Sequence, residues 1–161
     1  MKDIENIINQ AILNEVEGAQ FYRMAASQNA NPEAIEALNK LAEEEVAHIE
    51  YLRQFSKEVA GGTITVDGAL SANVPSPEIY SWGKMDKQNL NLALSVFSVG
   101  MQMERDSIAF YEDAKKQVDD PQAKKVFDEL IKWEKVHLDQ FATQYEIYKQ
   151  EWWADQGFSP C

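Results

Sequence analysis

The pair Glu45–His48, spaced Glu-x-x-His, recurs 89 residues later as Glu134–His137, and these are the only two histidines of the chain. The same offset carries Glu15 onto Glu104, Phe21-Tyr22 onto Phe110-Tyr111, Pro32 onto Pro121, Leu38 onto Phe127 and Leu41 onto Leu130. A chain of 161 residues built this way holds one unit written twice. That length is one domain's worth, so the two units are expected to share a single core over 1–161.

Apolar spacing of three and four makes each unit a helical hairpin. The first helix is expected over about 3–27, with Ile4, Ile8, Ile12, Ala19, Tyr22 and Ala26 on one stripe. Asn31-Pro32 reads as a cap and first helical residue, opening a second helix over about 32–59 with Ile35, Leu38, Leu41, Leu52 and Phe55 inward. Gly61-Gly62 ends it. The stretch 60–86 then lacks a helical stripe and is expected to cross the length of the bundle, with a short strand at Thr63–Val66 and a helical turn after Ser76-Pro77 conceivable within it. A third helix follows over about 87–118, with Leu90, Leu94, Phe97, Met101, Ile108 and Tyr111 inward. Asp120-Pro121 repeats the cap, and a fourth helix is expected over about 121–150, followed by an aromatic, then turn-like tail at 151–161. Trp152-Trp153 in that tail is expected to pack against the crossover or a second subunit.

Each inner stripe is interrupted by a glutamate near its middle: Glu15, Glu45, Glu104 and Glu134. Residues three apart share a helix face, so His48 and His137 join their glutamates there. Glu17, Glu43, Glu44 and Glu50 are expected to point to water. Burying one unpaired carboxylate costs several kcal/mol, so four at one level of a core require cations. No lysine or arginine lies on the inner stripes to supply them. Two divalent metals would, and four carboxylates with two imidazoles form a donor set that suits iron or manganese and accepts zinc. Tyr22 and Tyr111 lie two turns beyond Glu15 and Glu104 on the same faces. Two roles are open to them, core filling and a phenolic hydrogen bond to a ligand carboxylate of the neighbouring helix.

On these residues the chain resembles the ferritin-like di-iron carboxylate superfamily, and its pattern is closest to the rubrerythrin-like branch. The resemblance implies an all-α, ferritin-like four-helix bundle with a long crossover between helices 2 and 3. It also implies that Glu15 and Glu104 are terminal ligands, that Glu45 and Glu134 bridge two iron ions, and that His48 and His137 each complete one ion. Proteins that look like this use a diferrous centre to reduce hydrogen peroxide or dioxygen. Two departures stand out. The positions one turn either side of Glu104 are Met101 and Ser107, where rubrerythrins proper carry a further ligand glutamate, and there is no Cys-x-x-Cys module of the rubredoxin kind. Electrons are therefore expected from an external donor such as rubredoxin or a flavoprotein. The six-residue set is similar to that of bacterioferritin as well, which keeps ferroxidase and iron storage open, beside a metal-binding bundle without turnover. No short fifth helix of the storage type is evident after Tyr148.

Charge narrows the partners. A formal net charge of -12 argues against nucleic acid and anionic membrane. With no long apolar run and no basic-then-apolar leader, a cytoplasmic protein is expected, as a homo-oligomer and most simply a dimer. Cys161 is the single cysteine, so no internal disulfide can form.

Overall fold

The structure, a computed structural model, describes residues 2–62, 64 and 87–157. Four helices account for nearly all of them: α1 (Lys2–Ser27), α2 (Pro32–Gly61), α3 (Lys87–Gln117) and α4 (Pro121–Asp155). No strand occurs among the described residues. The strand and turn expected between α2 and α3 lie outside them, apart from Ile64.

The doubled cap is realised at both hairpins. Asn31 accepts hydrogen bonds from the backbone N–H groups of Glu33 (2.9 Å) and Ala34 (3.1 Å). Asp120 does the same for Gln122 (2.7 Å) and Ala123 (3.0 Å). Each cap satisfies two of the four N–H groups that a helix start leaves without partners, and the proline that follows has no N–H to satisfy. At the other end of α2, Gly62 adopts a left-handed φ of 75° and returns its N–H to Val59 at 3.1 Å. That conformation suits glycine and stops the helix.

The apolar core is divided into two clusters. One gathers Tyr22, Ala25 and Ala26 of α1, Ala34 to Leu41 of α2, Leu90 to Phe97 of α3, and Phe141 and Tyr148 of α4. The other gathers Ile8 and Ala11 of α1, Leu52 to Val59 of α2, Tyr111 and Ala114 of α3 with Val118 just beyond it, and Ala123 to Trp133 of α4. The first cluster thus joins the starts of α2 and α3 to the ends of α1 and α4, and the second joins the opposite ends. Helices α1 and α4 therefore run one way, and α2 and α3 the other. The end of α2 and the start of α3 lie at opposite ends of the bundle; the crossover expected over 60–86 lies for the most part outside the described residues. This parallel pair separates a ferritin-like bundle from a plain up-down-up-down one.

Two expectations change. Residues 151–155, read as tail, are the last turn of α4. The stripe Phe141, Tyr148 and Trp152 continues at helical spacing, and Trp152 packs on the first cluster while its ring meets that of Trp153 edge-on at 5.0 Å. On α3, Leu90, Phe97, Glu104 and Tyr111 are buried as expected, but Ala93, Val96 and Gly100 join them, whereas Leu94, Met101 and Ile108 are only half-buried. The cause is close approach. A Cβ on Gly100 would stand 3.2 Å from the Phe141 ring, so α3 presents its small residues to α4.

Candidate metal centre

Between the two apolar clusters, at mid-height, the bundle carries a layer of buried ionisable side chains. Glu15, Glu45, His48, Glu104, Glu134 and His137 are each at most 3% exposed. Helical spacing explains the local order, since each residue occupies a core position of its own helix where an apolar residue would otherwise sit.

The six fall into two overlapping groups. Glu15, Glu45, His48 and Glu134 bring one donor atom each within 4.8 Å of one another, and so do Glu45, Glu104, Glu134 and His137. Glu45 and Glu134 belong to both groups, whereas each histidine belongs to one. His48 Nδ1 lies 3.1 Å from Glu45, 3.3 Å from Glu15 and 3.4 Å from Glu134. His137 Nδ1 lies 3.4 Å from Glu134 and 3.6 Å from both Glu45 and Glu104. The two imidazoles stack 5.8 Å apart, inclined by 18°.

Electrostatics divide the carboxylates. Burial pushes Glu45 up to about 7, helped by the charges of Glu15 and Glu104. Burial and the same like charges hold Glu134 well above its ordinary range. Burial acts on Glu15 in the same direction, but the charge of His48 overcomes it and takes that carboxyl down to about 2. Glu104 is lowered in the same way by His137. For His48 and His137, burial disfavours the cation, yet the facing carboxylates outweigh it and raise both. The metal-free centre thus sets two lowered carboxyls, Glu15 and Glu104, against two raised imidazoles, while Glu45 and Glu134 are the carboxyls that hold a proton more readily.

The site fits a pair of metal ions on an observation of its own. Both oxygens of Glu134, Oε2 of Glu45 and Nδ1 of His137 are buried without a hydrogen bond. Buried polar atoms are normally paired, and these four are inward donor atoms of one constellation. Divalent ions accept such atoms directly and replace the protons that balance them.

The two tyrosines complete the frame. Tyr22 of α1 donates its phenolic hydrogen to Glu104 of α3, and Tyr111 of α3 donates to Glu15 of α1. Both phenols are buried and raised well above their ordinary values, by burial first and by the adjoining carboxylates second. They therefore remain donors throughout the neutral range. A cavity of about 240 Å³ opens from the centre between α1 and α3, past Gly18 and Met103, with Glu17 and Asp106 among its lining residues.

Two residues of the site were not legible in the sequence. Glu44, expected to face water, accepts a hydrogen bond from His137 Nε2 at 2.5 Å and keeps only 18% of its side chain exposed. It sits one residue, about 100°, round from Glu45, so it flanks the buried stripe and leans across to α4. Trp133, buried one residue before Glu134, meets the His48 ring edge-on at 5.5 Å. Glu17, Glu43 and Glu50 are exposed.

Comparison with known proteins agrees with this arrangement. The family model for rubrerythrin matches residues 6–145. No curated protein matches the chain. Among solved structures, a hypothetical protein from Pyrococcus furiosus superposes with a TM-score of 0.64 at 23% identity, covering 93% of this chain and 94% of that one, which establishes the shared fold. With the repeated Glu-x-x-His pairs, the four-helix bundle and the family match over most of its length, the chain belongs to the rubrerythrin family.

Proposed function

We propose that this protein is a di-iron oxidoreductase that reduces hydrogen peroxide or dioxygen with electrons from a separate donor. The observation that supports it best is the sharing of Glu45 and Glu134 between two donor groups, each completed by one histidine Nδ1. When bound there, two ferrous ions would together supply the electron pair needed to cleave an O–O bond. The chain's own residues prepare for that. Glu15, Glu45, His48, Glu104, Glu134 and His137 would hold the ions, with Glu45 and Glu134 common to both donor groups. Tyr22 and Tyr111 keep their protons at the phenolic oxygen and fix the carboxylates of Glu104 and Glu15 from the opposite helix. Reduction of hydrogen peroxide to two waters consumes two electrons and two protons, and the cavity beside Gly18 admits a substrate of that size. No Cys-x-x-Cys pair lies in these residues, so the electrons come from a donor outside the bundle, for which rubredoxin or a flavoprotein is suited.

A second reading is ferroxidase with iron storage. It is favoured by the carboxylates of Glu17 and Asp106 at the cavity, which would draw in a cation. Anaerobic loading with ferrous iron followed by stopped-flow mixing separates the readings. Peroxide outpacing dioxygen, with sustained turnover when rubredoxin and its reductase are added, supports the reductase acting as a small oligomer such as a dimer. Consumption of iron far beyond two per chain inside a large assembly supports storage, and bound iron that reacts with neither oxidant leaves a metal-binding bundle without turnover.

A further inference from the structure

The two halves of the centre are copies at the metal-facing side but not behind it. The offset that maps Glu45 onto Glu134 and His48 onto His137 maps Glu44 onto Trp133. His137 presents Nδ1 to the carboxylates and gives its outer nitrogen, Nε2, to Glu44 at 2.5 Å. His48 presents Nδ1 to the carboxylates in the same way, yet its Nε2 is buried with no hydrogen-bond partner among the described residues. The side chain at the repeat-equivalent position is the Trp133 ring, 5.5 Å from the imidazole centre and nearly perpendicular to it. An indole N–H donates and cannot accept, so Trp133 offers the outer nitrogen of His48 no acceptor of the carboxylate kind.

This difference acts on metal binding through the tautomer. An imidazole that ligates through Nδ1 must carry its remaining hydrogen on Nε2. For His137 that hydrogen meets a carboxylate, which locks the ring in its ligating tautomer and makes Nδ1 a stronger donor. For His48 the same tautomer leaves a buried N–H without a partner among the described residues, which weakens binding. All other donors are matched across the pseudo-symmetry, with one terminal glutamate each and the same two shared glutamates. We propose that Glu44 makes the two metal positions unequal, so that the position completed by His137 fills first and more tightly than the one completed by His48. The proposal rests on the reading of this layer as a two-metal site. Glu44 acts as a positioning residue, through His137 rather than on the metal.

The test is a calorimetric titration of the metal-free protein with Co(II). Two binding steps separated by roughly tenfold or more are expected, and Glu44→Ala should weaken the tighter step by about 10–100-fold and draw the two together. Glu44→Gln, which retains an acceptor without the charge, should fall between. In a His137→Ala background Glu44→Ala should have no further effect, whereas in a His48→Ala background its effect should persist. A merely structural role would not move the second readout. In the zinc-loaded protein labelled at the imidazole nitrogens, the Nε2–H of His137 should exchange slowly and lose that protection in Glu44→Ala, with His48 unaltered. Two equal steps in the unmodified protein, or equal weakening of both steps in Glu44→Ala, would overturn the proposal. Failure of the unmodified protein to take up two cobalt ions would instead remove the two-metal reading beneath it.

Discussion

Tyr22 of α1 is hydrogen-bonded to Glu104 of α3, and the copy of that tyrosine, Tyr111 of α3, is hydrogen-bonded to Glu15 of α1. Each hairpin thereby fixes a carboxylate of the other, and the centre is braced between the hairpins as well as within them. Few backbone contacts join α1 to α3, compared with α1 to α2 or α3 to α4. The crossed pair of phenols is thus a main polar tie between two hairpins that otherwise meet through side chains.

Replacing a phenol tests the brace. Tyr22→Phe should loosen metal held by Glu104, and Tyr111→Phe metal held by Glu15, each by about 10–100-fold, as loss of an outer partner does elsewhere. The apo fold should lose about 1–3 kcal/mol, because a buried carboxylate oxygen then lacks its donor. Metal titration and thermal melting of the two variants check both figures, and loss confined to melting would mean the brace is structural only.

Sharing of Glu45 and Glu134 predicts a pattern in metal content. Glu45→Ala and Glu134→Ala should each lower occupancy at both positions, whereas Glu15→Ala and Glu104→Ala should spare one ion. Glu17→Ala, on the exposed face, should leave two ions per chain. Elemental analysis after dialysis distinguishes these outcomes, and equal content in all five variants would remove the assignment.

The divided carboxylates predict opposite responses to pH with and without metal. Glu45, raised from 4.5 to about 7, stabilises the apo fold fully below the lower value and loses that contribution as pH rises through the upper. Glu134, His48 and His137 are raised too and act in the same sense. Glu15, lowered from 4.5 to about 2, and Glu104, lowered likewise, contribute above 4.5 and lose it as pH falls. The apo protein should therefore melt highest in mild acid and lower as pH passes neutrality. Metal must displace the protons of the raised groups, so its stabilising effect should be larger at about pH 7.5 than at about pH 5.5. Melting curves at the two pH values, with and without Fe(II) or Zn(II), decide the point.

Access predicts a graded effect at Gly18. A Cβ there would stand 3.7 Å from Glu45 Cγ and 3.9 Å from Met103 Cε, ordinary contact distances, so Gly18→Ala should be tolerated. Gly18→Leu would place a branched chain in the cavity of about 240 Å³. It should slow oxidation of the loaded protein by peroxide by tenfold or more, on the order of the cost of a misplaced reactant, while two metals still bind. Unchanged rates in Gly18→Leu would place the entrance elsewhere.

The sequence by itself determined the plan of this protein. A repeat at a fixed offset, two capped hairpins, and one glutamate in each apolar stripe left few arrangements, because helical periodicity alone sets which residues share a face. It also singled out Tyr22 and Tyr111, with core filling and a hydrogen bond to a neighbouring helix both open to them. Only the tertiary structure decided how the faces meet. The burial of Gly100 on α3 followed from its lying against Phe141, a contact between residues 41 apart in the chain that no local pattern records. The last turn of α4 formed because Trp152 found the end of the core to pack on, where its composition alone suggested a tail. Glu44 read as solvated, like Glu43 beside it, and its partner His137 lies 93 residues away. Periodicity assigns a residue to a face of its own helix, whereas a flanking side chain such as Glu44 is claimed or left to water by whatever the opposite helix presents.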